Sequence, residues 1–250
     1  MSNNKVKILI LAGGKGKRME SELPKVLVSL KGKPMISHLL ESVEKSGVAD
    51  KPSIVVGFKK ELVIDTLGKN YDYVIQDEQL GTGHAVLISE KSMTDSNHIL
   101  VLYGDNPYMT PETIKKIVDE HMKFGNKITL ATTTLPDFKY WRAFFYKNFS
   151  RIIRDGNGKI LKSVEFRDAN DEEKEILEVN PCYFCFESKW LFENLKKINN
   201  SNAQQEYYLT DLVKMAIQEG EKIESISINP HEALAANSKE ELELLEQISI

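Results

Sequence analysis

Cysteine is scarce in this sequence, with two among 250 residues. A disulfide framework is therefore excluded, and no Cys-rich metal cluster can be built. The two stand as Cys182-Tyr-Phe-Cys185 inside a run that reads as a strand. Strand positions i and i+3 face opposite sides, so a shared redox or zinc role is not expected of them. Long apolar runs are missing as well. The run Ile8 to Ala12 holds five residues, far short of the roughly 20 needed to cross a bilayer. The start, Met1 to Asn4, is polar and leads straight into a strand-like run, so no signal peptide is expected and a cytoplasmic location is. Basic excess is absent overall: the net charge is -4, which disfavours a general nucleic-acid binder.

What is present is ordinary globular composition, 41% hydrophobic and 28% charged, with one local anomaly. Residues 1–33 carry eight Lys or Arg against two Glu, a local excess of +6 on an acidic chain. Such a cluster suggests an anion site or, equally, a solvated lysine face.

Apolar β-branched runs alternate with helical periodicities through the first half. Strands are expected at Lys7 to Ala12, Ser53 to Val56, Tyr73 to Gln76, Ile99 to Tyr103 and Ile128 to Thr134. Helices are expected at Pro34 to Ser46, Lys60 to Leu67, Thr82 to Glu90 and Pro111 to Phe124, the last capped by Thr110 and stopped by Gly125. This order predicts an α/β fold, Rossmann-like and three-layered α/β/α, with a mainly parallel central sheet. After Pro136 the pattern changes. Aromatics crowd Phe138 to Phe149, including Trp141, Phe144 and Phe145, and core packing is the favoured reading. Ser150 to Arg154 and Lys159 to Phe166 flank a hairpin turn, Asp155-Gly-Asn-Gly158. Asp168 to Glu175 reads as a loop, Val179 to Phe186 as one strand, and Lys189 to Ile198 and Leu209 to Glu219 as helices. Lys222 to Ile228 reads as a strand and Ala233 to Gln247 as a helix. The expected organisation is one domain: a nucleotide-binding half (1–135), a sugar-binding half forming a smaller β lid (136–232), and a C-terminal helix (233–250).

The strongest motif is Leu11-Ala-Gly-Gly-Lys-Gly-Lys-Arg-Met19, followed by Leu23-Pro-Lys25, at the end of the first strand. Glycines there let backbone N–H groups approach phosphate oxygens, and Arg18 and Lys25 add fixed positive charge. A Walker A loop would need Ser or Thr where Lys17-Arg18 stands, and a dinucleotide fingerprint would need glycine at Met19. Asp105 follows a strand at the edge where open α/β sheets place ligands, and suits a hard divalent cation. Gln76 offers both a donor and an acceptor to a base edge, and Gly81 and Thr82 open a helix with free N–H groups. His84 reads as a structural histidine more readily than as a substrate contact.

These segments resemble the sugar-phosphate nucleotidylyltransferases, and among them the uridylyltransferase domain of the bifunctional N-acetylglucosamine-1-phosphate uridylyltransferases. Leu11 to Lys25, Gln76 to Ala85, Tyr103 to Pro107, Val164 to Ala169 and Asn202 to Asp211 carry the likeness in order. The resemblance implies a GT-A-like fold and transfer from UTP, or alternatively CTP or dTTP, to a sugar 1-phosphate with Mg²⁺ as cofactor. It implies nucleotide contacts at Leu11, Ala12, Gly13, Gly14, Gly16, Gln76, Gly81, Thr82, Tyr103 and Gly104. Arg18, Lys25 and Asp105 would be catalytic, Asp105 and Asn229 would hold the metal, and Glu165 and Asn180 would hold the sugar. No nucleic-acid or membrane partner is implied, and a homo-oligomer is compatible. A non-catalytic nucleotide-sugar-binding module on the same fold is the other reading. Ser150 replaces a family glycine, Pro181-Cys182 replaces Thr-Gly, and Lys17 replaces Thr or Ser. The hexapeptide repeats of the family's acetyltransferase domain are not found in this sequence, so acetyl transfer is not expected.

Overall fold

The first strand explains the layering. In the computed structural model, which describes residues 5–248, β1 (Val6–Ala12) is apolar on both faces. Ile8, Ile10 and Ala12 enter one hydrophobic cluster, while Leu9 and Leu11 enter another on the opposite side. A strand sandwiched this way reads as a continuous apolar run instead of an alternating one. Two tiny strands, β2 (Ser29–Leu30) and β3 (Lys33–Pro34), pair with each other and lead into α1 (Met35–Ser46). Then follow β4 (Ser53–Val56), α2 (Lys60–Leu67), β5 (Asp72–Ile75), α3 (Thr82–Leu87), β6 (His98–Tyr103), α4 (Pro111–Phe124) and β7 (Ile128–Thr134). The Thr110 hydroxyl accepts the Thr113 N–H at 3.2 Å and fixes where α4 begins.

The second half contains α5 (Phe144–Asn148), β8 (Ser150–Arg154), β9 (Ile160–Val164), α6 (Asp171–Lys174), β10 (Glu178–Asn180) and β11 (Phe184–Glu187). It closes with α7 (Ser188–Leu195), α8 (Asp211–Gln218), β12 (Ile223–Ser227) and α9 (Lys239–Gln247). Sheet order is β5-β4-β1-β6-β11-β7-β10-β8-β9, with β12 on the other edge of β7. Neighbours β5, β4, β1 and β6 are parallel, as are β7 and β12, and β11 runs antiparallel between β6 and β7. Helices α1 and α4 cover one face of the sheet, and α3, α7 and α8 cover the other. The expected three-layer, mostly parallel architecture is what the chain adopts. Each fully buried Leu or Ile in these two clusters contributes about 1.5–3 kcal/mol.

Three expectations need correction. The single strand Val179 to Phe186 is two, because Pro181 interrupts the ladder and Cys182 takes a left-handed backbone with φ 65°. β10 then pairs with β7 and β8 while β11 pairs with β6 and β7. The polar loop after Asp168 contains α6, whose Asn170 and Glu173 form a reciprocal cap at 2.8 and 2.9 Å. The terminal helix begins at Lys239, not Ala233: Ser238 caps it, and residues 230–233 form a separate short turn. Met1 to Asn4, the end of the 233–250 segment at Ser249-Ile250, and the Lys17 side chain lie outside the described residues.

The aromatic segment packs inward. Phe145 is fully buried, stacks on Phe149 at 5.1 Å and meets Phe144 edge to face at 5.3 Å. Arg151 is also fully buried. Its guanidinium donates to the carbonyls of Lys174 (3.0 Å), Phe149 (2.6 Å) and Tyr146 (2.6 Å) and lies over the Phe138, Tyr146 and Phe166 rings. The two thiols divide between the two cores, Cys185 in one and Cys182 in the other, and burial pushes both well above the ordinary thiol range.

Candidate active site

At the carboxyl ends of β1, β4 and β6 the chain leaves the sheet through loops and opens a cavity of about 320 Å³. Its walls include Leu11, Ala12, Gly13, Gly14, Lys25, Gln76, Gly81, Thr82, Tyr103 and Asp105, ten of the residues singled out from the sequence. Gly104 lies beneath this wall, with its N–H on the Leu11 carbonyl at 2.9 Å. Gly16 has φ 62° and abuts the Lys25 stem, which puts it behind the wall.

One end of the cavity is ionic. The Lys25 ammonium pairs with the Asp105 carboxylate and also donates to Asn237 Oδ1 at 2.8 Å. Both side chains of the ion pair are largely buried, with 15% and 13% exposed, so water screens them poorly. Gln76, nearly buried, hydrogen-bonds His84 Nδ1 through Nε2 at 3.2 Å. The Thr82 hydroxyl accepts the Leu209 N–H at 3.0 Å, and Gly83 N–H donates to the Tyr207 carbonyl at 2.7 Å, which ties α3 to the 206–210 segment. Glu206 joins the wall there, and burial raises its carboxyl pKa. Burial also pushes the Tyr103 hydroxyl well up, and nearby Cys182, Glu165 and Asp105 reinforce the shift.

Other expected residues lie elsewhere. Arg18 does not share the cavity with Lys25 and Asp105. It sits in a short turn, Lys17–Met19, between two left-handed residues, Gly16 and Glu20. Met19 plugs into the core, and Arg18 is exposed toward a second cavity of about 850 Å³ beside Phe138, Phe144, Asn148 and Glu241. Glu165 follows β9 and accepts the Thr210 hydroxyl at 2.8 Å. Burial raises its pKa, and it borders a third cavity with Asp168 and Asp211. Asn180 is fully buried. Its Oδ1 accepts the Cys182 N–H at 2.7 Å and its Nδ2 donates to Ser163 at 3.3 Å, so its polar atoms serve the strand break. Asn229 is not part of this cavity wall: its Oδ1 accepts the His231 N–H at 3.0 Å and caps the turn at 230–233.

Asn237, Gln79, Glu206, Val26 and Ala85 line the cavity without having been anticipated. For Asn237 a signal existed. Ser238 and Glu241 have capping-box spacing, and the Ser238 hydroxyl does accept the Glu241 N–H at 3.3 Å. That spacing starts the helix after Asn237 and frees its side chain for the cavity.

Residues 8–206 match the MobA-like NTP transferase domain, and the chain belongs to that family. It is 40% identical over 236 residues to the bifunctional protein GlmU of Clostridium acetobutylicum, covering 94% of this chain and 50% of that protein. Against GlmU of Streptococcus agalactiae it is 41% identical over 244 residues, covering 92% and 50%. The chain thus spans about half the length of these relatives. Its fold superimposes on a Bacillus anthracis chain provisionally named as a glucose-1-phosphate thymidylyltransferase, solved with sucrose. The TM-score is 0.77 at 20% identity, over 98% of this chain and 97% of that one. Among the described residues no helix is long and apolar enough to cross a membrane.

Proposed function

We propose that this chain transfers a uridylyl group from UTP to a sugar 1-phosphate, with N-acetylglucosamine 1-phosphate as the first candidate. A phosphate oxygen of the sugar phosphate attacks the α-phosphorus. A new P–O bond forms, the bond to the β-phosphate bridge breaks, and pyrophosphate leaves. The nucleophile is already anionic, so no base or covalent side chain is required. The obstacle is repulsion between anions, and positioned positive charge lowers it.

The observation that carries this reading is the cation in the wall: Lys25 held by Asp105 and Asn237, with Gln76 lining the same cavity. Lys25 neutralises phosphate charge, and the backbone of Gly13 and Gly14 borders the phosphate path. Magnesium fits the donor set. The Asp105 carboxylate and the Asn237 carbonyl oxygen already converge on one cation, and Mg²⁺ accepts few protein ligands beside phosphates and water. Bound there, it would supply Lewis-acid stabilisation of phosphoryl oxygens. Gln76, Gly81 and Thr82 receive the base. The sugar phosphate approaches past Tyr103, with Glu165 close behind it. The match of residues 8–206 to an NTP transferase domain supports a nucleotidyl-transfer reading.

Pyrophosphate release from a panel of UTP, CTP and dTTP against several sugar 1-phosphates tests the proposal. Lys25→Ala and Asp105→Ala variants that remain folded should lose about 10²–10³ in rate. Full activity in both refutes the site. Binding of nucleotide without turnover of any pair supports the non-catalytic reading instead.

A further inference from the structure

The Gln76 amide is a shape with two equivalent orientations. Rotating it by half a turn exchanges oxygen and nitrogen at almost no steric cost, so only its hydrogen bonds decide which one faces a ligand. The rest of this residue is fixed. Its N–H donates to the Val56 carbonyl at 2.8 Å, its carbonyl accepts from Gln79 Nε2 at 3.1 Å, and 5% of its surface remains exposed. His84, one turn into α3, meets the amide nitrogen through Nδ1 at 3.2 Å. With the amide nitrogen on this side, Nδ1 is the acceptor and the ring proton sits on Nε2. The amide oxygen is thereby turned toward Gly13 on the cavity wall, where even a methyl group on Gly13 would come within 2.7 Å of it.

We propose that His84 is a positioning residue that locks the Gln76 amide with its oxygen presented to the base, and so makes the cavity selective for a pyrimidine bearing an N3–H. This rests on the nucleotide-transfer reading above. Uracil and thymine carry a proton at N3 and can donate it to that oxygen. Cytosine carries a lone pair at N3 and sets acceptor against acceptor. A site built to hydrogen-bond one edge rejects an edge that leaves its polar group unpaired. Selectivity then resides in the imidazole tautomer, which never touches the base.

The test compares kcat/KM for UTP and CTP in the wild type, His84→Phe, Gln76→Glu and the double variant. The wild type is expected to favour UTP. His84→Phe keeps a ring but lets the amide rotate. It should reduce the UTP-to-CTP ratio by about tenfold or more, chiefly through the nucleotide KM, with kcat within about twofold. A carboxylate at position 76 offers oxygen in either orientation, so adding His84→Phe to Gln76→Glu should leave the ratio of Gln76→Glu unchanged. A ratio unmoved by His84→Phe, an equal fall in both backgrounds, or a wild type preferring CTP overturns the proposal. If His84→Phe does not fold, His84→Gln, whose own amide can rotate with its neighbour, should reduce the ratio in the same way. If the wild type turns over no triphosphate, the transfer reading fails by itself. Equilibrium binding of UTP and CTP to the same variants then gives the ratio that decides the role of His84.

Discussion

A methyl group built on Gly16 would stand 2.7 Å from Cβ of Lys25. The loop glycine and the lysine that lines the cavity are therefore packed as a pair, and Gly16 also holds φ 62°. Gly16→Ala has two costs. The left-handed backbone is worth roughly 1–2 kcal/mol against an L-residue, and the Lys25 stem must move. We expect a lowered thermal midpoint together with a fall in turnover larger than the stability loss explains. Unfolding curves and kcat, measured on the same preparation, check both parts.

The two asparagines separate the sequence reading from the structural one. Asn237→Ala removes the oxygen that faces the Lys25 ammonium and should weaken Mg²⁺ dependence and turnover by tenfold or more. Asn229→Ala removes a turn cap worth about 1 kcal/mol and should leave turnover near wild type. Magnesium titrations of pyrophosphate release distinguish them, and reversed results would restore Asn229 to the metal.

Arg151 is a buried cation with no carboxylate at hydrogen-bonding distance among the described residues. Its planar fork satisfies three carbonyls that a lysine cannot reach together. Arg151→Lys should cost about 2–4 kcal/mol. The loss should appear in hydrogen exchange first at residues 138–149, whose turn the guanidinium closes.

His121 is fully buried between Thr129 and His98, at 3.0 and 3.1 Å, and burial followed by the neighbouring histidine lowers its pKa to about 3. An unfolded histidine titrates near 6.5. Between those values the unfolded chain binds the extra proton, so stability falls as pH drops from about 6.5 toward 3 and is complete above it. His98 shifts the same way. The urea midpoint should decline over that window, and His121→Gln should flatten the slope.

Periodicity made most of the fold legible. Ser53–Val56, Lys60–Leu67, Pro111–Phe124, Ile128–Thr134 and Ser150–Arg154 have the bounds read from sequence, because a two-sided strand and a capped helix write their patterns locally. What the sequence conceals shares a cause. The break at Pro181–Tyr183 depends on which sheet each side of the strand joins, a tertiary fact that an unbroken apolar run conceals. Arg18 carries the right charge in the right motif, yet the turn around it, with two left-handed residues, aims it at a different cavity. Glu165 and Asn180 point at neighbours whose partnership spans 45 and 17 residues. Asn237 is concealed by the helical periodicity that runs from Ala233, although Ser238 caps the helix after it.

The contact between Lys25 and Asn237 joins positions 212 apart. During synthesis the glycine loop, β1 and Asp105 all leave the ribosome long before Asn237 does. Until then Lys25 and Asp105 can meet only each other, and the second oxygen of the cation seat is missing. The pairing of β1 with β4 and β6 therefore needs only residues made before Asn237, whereas the second oxygen on the Lys25 ammonium comes later. The Asn237 contact forms only once the segment around Ser238 has docked beside the glycine loop.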